Sequence, residues 1–124
     1  MTTQTDDRRT ALLEHRQRLQ SEYDQLDSEL QAIDQATDEG DVSFDEDGGE
    51  GSPAAVERDR LRALLASARG SLRDIDAALR RLDDGTYGTC TTCGRAIAPE
   101  RLEAMPTTTQ CVACKAAGPL TRRR

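Results

Sequence analysis

The sequence predicts an all-α protein in which a long antiparallel helical hairpin precedes a small module built around four cysteines. Three observations lead to this fold class. Two long stretches carry apolar residues at alternating spacings of three and four, an acidic turn-rich segment separates them, and the four cysteines follow in two C-x2-C pairs. With 124 residues, of which 2% are aromatic and 32% charged, the chain cannot assemble a thick globular core.

The first apolar stretch begins at Leu12 and is interrupted once, at Arg16. Alternating spacings of three and four are typical of a helix that packs its apolar seam against another helix, as in a coiled coil. The seam positions are Leu12, Leu19, Tyr23, Leu26, Leu30 and Ile33.

The second stretch alternates spacings of four and three without a break. Its N-terminus is well marked, because Ser52 can cap free backbone N–H groups and Pro53 suits the first helical position. Gly85 is placed to end the helix in a left-handed conformation, and Gly70 inside it should cost about 1 kcal/mol relative to Ala. The seam positions are Leu61, Leu65, Ala68, Leu72, Ile75, Leu79 and Leu82.

Each helix is expected to contain roughly 30 residues and to extend about 45 Å. Neither helix can bury its apolar stripe alone, so an antiparallel hairpin within one chain is the simplest arrangement. Pairing between two chains stays open at this point, because a heptad pattern does not determine whether the partner helix belongs to the same chain or to another.

The segment between the helices, residues 34–52, contains eight Asp and Glu and no Lys or Arg. Since the chain carries −6 and this segment −8, the remainder carries +2. A Gly-rich acidic connector is usually a solvated loop. At the end of a stiff hairpin, however, the same carboxylates form a charged tip. Such a tip can act at a distance from a partner that binds the two long helices, here called the stem.

Two identically spaced C-x2-C pairs, seventeen residues apart, match the ligand spacing of structural zinc sites. Two disulfides are disfavoured, because the chain is expected in a reducing compartment. A C-x2-C redox centre would need only one pair and a thioredoxin-like setting. An iron site of the rubredoxin type uses similar cysteine pairs and is the remaining alternative. We therefore predict one structural Zn2+ in a four-cysteine zinc finger. Its ligands are Cys90, Cys93, Cys111 and Cys114.

Four thiolates leave no open zinc position for water or substrate, so we expect that the protein is not an enzyme. Between the pairs, Pro99 and Pro106 bound a short helix. Ile97, Leu102 and Met105 are expected to pack against the cysteine turns as a small core, with zinc as the main source of stability.

The net charge of −6 argues against a protein that coats nucleic acid. No apolar stretch is long enough for a signal peptide or a membrane helix, so we expect a cytoplasmic protein without a membrane partner. The predicted organisation is a coiled-coil hairpin at 1–85 with an acidic tip at 37–52, a zinc finger at 86–118 and a basic tail at 119–124.

Residues 77–114 resemble the C-terminal region of the TraR/DksA family of bacterial zinc-finger transcription factors. The agreement covers the Ala-Leu pair before the end of the second helix, all four cysteines, and Gly85, Tyr87, Gly88, Gly94, Ile97, Arg101, Leu102, Ala104 and Pro106.

This resemblance implies that the protein binds RNA polymerase directly and inserts its coiled-coil tip into the secondary channel to modulate initiation. Direct binding to promoter DNA is not expected. Some members act together with the alarmone ppGpp, which makes the polymerase interface a candidate ppGpp site.

Well-known family members carry D-x-x-D at the tip, followed two positions later by Ala. Here Asp47 and Glu50 take the two acidic positions and Ser52 takes the Ala position, so the sequence departs from that pattern. Asp45 and Glu46 can share the role, because a Gly-rich tip lets more than one carboxylate reach its target. The predicted effector tip is therefore Asp45, Glu46, Asp47 and Glu50.

Three other readings stay open from the sequence. A zinc-finger adaptor that binds another protein predicts that neutralising the tip has no effect. A nucleic-acid-binding zinc ribbon would use Arg95, Arg101 and 122–124, and its binding would weaken steeply with salt. A redox sensor would lose zinc when its thiolates are oxidised.

Overall fold

The computed structural model describes residues 2–38 and 52–118. In this part of the chain there are four helices, α1 (Thr2–Asp38), α2 (Pro53–Asp84), α3 (Pro99–Ala104) and α4 (Val112–Ala117). These residues contain no strand, only an isolated antiparallel bridge between Thr89 and Ala96. The predicted all-α fold class is confirmed.

The start of α2 follows the predicted capping chemistry. The Ser52 hydroxyl accepts the backbone N–H of Ala55 at 3.0 Å, and Pro53 is the first helical residue. By contrast, α1 begins at Thr2, ten residues before the first predicted seam position. The sequence N-terminal to Leu12 is polar, so the apolar periodicity could not reveal this extension.

The end of α2 also confirms the prediction. Gly85 has φ 84°, a left-handed conformation that a residue with a Cβ adopts at a cost. The backbone N–H groups of Thr86 and Tyr87 then both donate to the carbonyl of Arg81, at 2.9 and 3.1 Å. The chain thus leaves the helix in a tight turn and enters the cysteine-containing segment directly.

One compact unit spans Glu14–Arg73, of which residues 14–38 and 52–73 are described. Its buried side chains, Leu61, Leu65 and Ala68, come from the predicted stripe of α2. The predicted α1 stripe of this unit, which is half-buried throughout, consists of Leu19, Tyr23, Leu26, Leu30 and Ile33. Both seams are therefore turned away from solvent, with α2 contributing the more deeply buried side.

Two polar contacts in this unit show that the helices run antiparallel within one chain. Arg69 donates to the Tyr23 hydroxyl at 2.7 Å and lies over its ring, 5.5 Å from the centroid. Arg58 donates to the carboxylate of Asp34 at 3.1 Å. Moving eleven residues along α1, from 23 to 34, moves eleven residues back along α2, from 69 to 58.

The second unit is formed by Met1–Leu13 together with Asp74–Arg124, of which residues 2–13 and 74–118 are described. Leu12, Ile75 and Ala78 are at most 2% exposed. Arg9 of α1 pairs with Asp83 of α2 at 2.7 Å. The burial of Ala78 was not predicted, because the spacing of four after Ile75 assigned this position of the stripe to the neighbouring Leu79, which is half-buried.

Asp45, Glu46, Asp47 and Glu50, the predicted effector tip, lie outside the described residues, as does the predicted basic tail. Both stay predictions. Among the helices that are described, none is long and apolar enough to cross a membrane.

Candidate metal centre

The first cysteine pair lies in a tight hairpin turn. The backbone N–H of Cys90 donates to the carbonyl of Arg95 at 2.8 Å, and the N–H of Gly94 donates back to the carbonyl of Cys90 at 2.9 Å. Gly94 has φ 80°, so the absence of a Cβ allows the turn to close directly after Cys93. Both thiols of the pair consequently lie on one short, well-bonded turn.

The second pair is positioned by a helix start. Cys111 occupies the N-cap of α4 in an extended conformation, and Cys114 lies in the first turn. The N–H of Lys115 donates to the carbonyl of Cys111 at 3.0 Å, which fixes that turn. The helix ends at Ala117, and Gly118 is its C-cap residue.

The four predicted ligand atoms meet at one point, with all Sγ atoms within 4.8 Å of one another. The Sγ atoms of Cys93 and Cys111 are 3.9 Å apart, and all four cysteines are free of disulfides. Zinc–sulfur bonds of about 2.3 Å in a tetrahedron place sulfur atoms about 3.8 Å apart. The donor set therefore fits a closed structural zinc site.

Hydrogen bonds in the cluster favour thiolates at two positions. Backbone hydrogen bonds from Cys111 and Cys93 lower the pKa of the Cys90 thiol to about 6, and the N–H of Thr92 contributes at 3.4 Å. A backbone hydrogen bond from Cys114 lowers the pKa of Cys111. The side-chain hydrogen bond with Cys111, followed by burial, raises the pKa of Cys114 to about 12. A divalent cation would replace the remaining protons.

A small core supports the cluster, but its composition differs in part from the prediction. Cys90, Ile97 and Leu102 are buried, and Tyr87 packs against them. The expectation for Met105 was wrong, because its side chain is 46% exposed. α3 ends at Ala104, and Met105 follows it as the C-cap residue with a non-helical backbone.

Tyr87 supplies the contact that was expected of Met105. Its ring packs on the cluster, its hydroxyl donates to the carbonyl of Pro106 at 2.7 Å, and Arg8 of α1 lies 5.7 Å from the ring centroid. Sequence reasoning singled out Tyr87 only through the family resemblance.

The hydrogen bonds that join the two cysteine turns were not predicted. Thr91 donates its backbone N–H to the carbonyl of Thr109 at 2.8 Å, and Gln110 donates its side-chain amide to the Thr92 hydroxyl at 3.1 Å. Arg101 of α3 donates to the carbonyl of Gln110 at 2.9 Å. The available signal was positional for Thr91, Thr92, Thr109 and Gln110, which lie inside or directly before a cysteine pair.

Comparison with known proteins assigns the family. Residues 85–117 match the prokaryotic dksA/traR C4-type zinc finger. The chain is similar along 98% of its length to the structure of transcription factor DksA2 from Pseudomonas aeruginosa, at 30% identity and a TM-score of 0.80, covering 88% of that chain. The chain belongs to the DksA/TraR family. Its four clustered cysteines and the matched finger together support one structural zinc ion as the cofactor.

Individual curated proteins match the chain over shorter segments. The protein YteA of Bacillus subtilis is 41% identical over 67 residues, which is 54% of this chain and 28% of that protein. The RNA polymerase-binding transcription factor DksA of Caulobacter vibrioides is 47% identical over 55 residues, or 44% of this chain and 34% of that protein. The matches thus span about a third of these relatives or less.

Proposed function

We propose that this DksA/TraR-family protein regulates transcription by binding RNA polymerase directly, without catalytic activity of its own. The observation that carries the proposal is the likeness to DksA2 over 98% of the chain, which includes the helical stem as well as the zinc finger. The naming of the Caulobacter relative as an RNA polymerase-binding factor supports polymerase as the partner.

In this proposal the zinc ion is structural and is held by Cys90, Cys93, Cys111 and Cys114. Four thiolates around one zinc ion leave no site for a substrate, which agrees with a non-catalytic role. The ion would hold the two cysteine turns on the small core of the finger. Polymerase contact would then depend on zinc through the shape of the finger.

The tip would act in the secondary channel of the polymerase. Of the eight acidic residues in 34–52, Asp34 is paired with Arg58 and belongs to the stem. On the resemblance to the family's D-x-x-D tip, we assign the effector role to Asp45, Glu46, Asp47 and Glu50, whose charges would modulate initiation close to the catalytic centre. ppGpp would act at the polymerase interface, and no contact with promoter DNA is required.

The proposal is tested by equilibrium binding of the zinc-loaded protein to the core RNA polymerase of its own host, with a known secondary-channel factor as competitor. We expect binding that the competitor displaces. Failure to bind at micromolar concentrations would contradict the proposal and favour the adaptor reading.

The tip is tested separately in a transcription assay of the double variant Asp47→Asn, Glu50→Gln. We expect it to bind polymerase like the wild type but to lose the effect on initiation. Glu22→Gln, which neutralises an exposed acid on α1, is the matched control and should retain the effect. Equal activity of the tip variant and the control would show that the tip is inert.

A further inference from the structure

We infer that Arg101 is a positioning residue for the zinc centre, which orients Cys111 by holding the peptide group that precedes it. The inference rests on the zinc centre alone and is independent of polymerase binding. Arg101 lies in α3, outside both cysteine pairs, and its Nε donates to the carbonyl oxygen of Gln110 at 2.9 Å. Its side chain is partly buried rather than extended into solvent.

The segment that leads into the second cysteine pair, residues 105–110, has no helix or strand to satisfy its carbonyl groups. Such groups need other partners when they are partly buried. The Tyr87 hydroxyl donates to the carbonyl of Pro106 at 2.7 Å, and the backbone N–H of Thr91 donates to the carbonyl of Thr109. Arg101 Nε donates to the carbonyl of Gln110 at 2.9 Å. Donors from outside the segment, two side chains and the backbone N–H of Thr91, therefore take the place of a regular backbone ladder.

The hydrogen bond of Arg101 affects the predicted zinc ligand Cys111 through the peptide group that joins Gln110 to Cys111. The carbonyl of Gln110 and the Cα of Cys111 belong to one planar peptide unit. A hydrogen bond that fixes the carbonyl oxygen therefore also restricts the position of the Cys111 Cα. The Sγ of Cys111 is 3.9 Å from that of Cys93, the separation a zinc ion requires. By restricting the position of Cys111, Arg101 thus helps to set the distance between the two cysteine pairs.

The arginine is also cationic, and it is hydrogen-bonded to the residue directly before Cys111. One Zn2+ with four thiolates carries a charge of about −2, so a nearby guanidinium stabilises it by charge as well as by geometry. Groups that hold metal ligands from outside the coordination shell are typically worth 10- to 100-fold in metal affinity. The contribution of charge can be separated from that of geometry by comparison with Arg95. This arginine of the first cysteine turn is also cationic, but its side chain is exposed.

The test is zinc affinity of the full chain, measured by competition with a chromophoric chelator, for Arg101→Ala, Arg101→Lys and the control Arg95→Ala. We expect Arg101→Ala to lose roughly 10- to 100-fold in affinity and Arg95→Ala to lose less than about 3-fold. Arg101→Lys keeps the charge without the planar donor and should stay well below the wild type.

A second readout distinguishes positioning from a general loss of stability. Alkylation of the zinc-loaded variants, followed by mass spectrometry, should show faster labelling of Cys111 and Cys114 in Arg101→Ala, while buried Cys90 stays protected. Unchanged zinc affinity in Arg101→Ala, full retention in Arg101→Lys, or equal losses for Arg95→Ala would each overturn the inference. Equal acceleration at all four cysteines would also overturn it.

Discussion

Replacing Leu61 by Ala should destabilise the helical stem, whereas the same change at Leu64 should have a small effect. Leu61 is fully buried in the seam of α2, and Leu64, one turn further along the helix, is 38% exposed. Truncating a buried Leu costs roughly 2–5 kcal/mol, because apolar burial is lost and a cavity remains. In a two-helix stem the neighbours can partly close the cavity, so we expect about 3 kcal/mol.

The measurement is urea unfolding followed by far-UV circular dichroism, with a thermal melt as a second probe. For a chain of this size about 3 kcal/mol corresponds to a fall in Tm of roughly 12 °C. The Leu64→Ala control should lose about 1 kcal/mol or less. Equal losses for the two variants, or a larger loss for Leu64→Ala, would refute the register in which Leu61 faces α1.

Three further predictions concern the finger and its junction with the stem. Removing zinc with a chelator should unfold the finger but change the helical signal little, because α3 and α4 have six residues each against 37 and 32 in α1 and α2; a collapse of the far-UV signal would contradict this. Tyr87→Phe should cost about 1–2 kcal/mol in urea unfolding, since the Pro106 carbonyl loses its donor, and no change would argue against that hydrogen bond. The exposed Arg9–Asp83 pair should show a coupling energy below about 1 kcal/mol in a double-mutant cycle, and a coupling that persists at high salt would contradict its exposure.

Most of the stem could be predicted from the sequence because its determinants are local. The alternation of three and four in α2 predicted the burial of Leu61 and Ile75, and the Ser-Pro start and Gly85 end predicted its bounds. The start of α1 could not be predicted, since residues 2–11 form helix without an apolar stripe. Ala78 was missed because burial of a small residue depends on how closely the partner helix approaches.

The donor set of the finger could be predicted, whereas its supporting contacts could not. The C-x2-C spacing alone brings Cys90 near Cys93, and zinc chemistry predicts that both pairs converge. Which apolar residue packs beneath them depends on where α3 ends, which is why Met105 points outward and Tyr87 takes its place. The contact of Arg101 joins two loops, and no local pattern encodes it.

The proposal that the tip reaches the catalytic centre of the polymerase can be measured directly. Iron substituted for the catalytic magnesium of the bound core enzyme generates hydroxyl radicals that cut nearby polypeptide. We predict cleavage of this chain within residues 45–50, abolished by a competing secondary-channel factor. Absence of cleavage there from a chain that is demonstrably bound, or cleavage that the competitor leaves unchanged, would contradict the account.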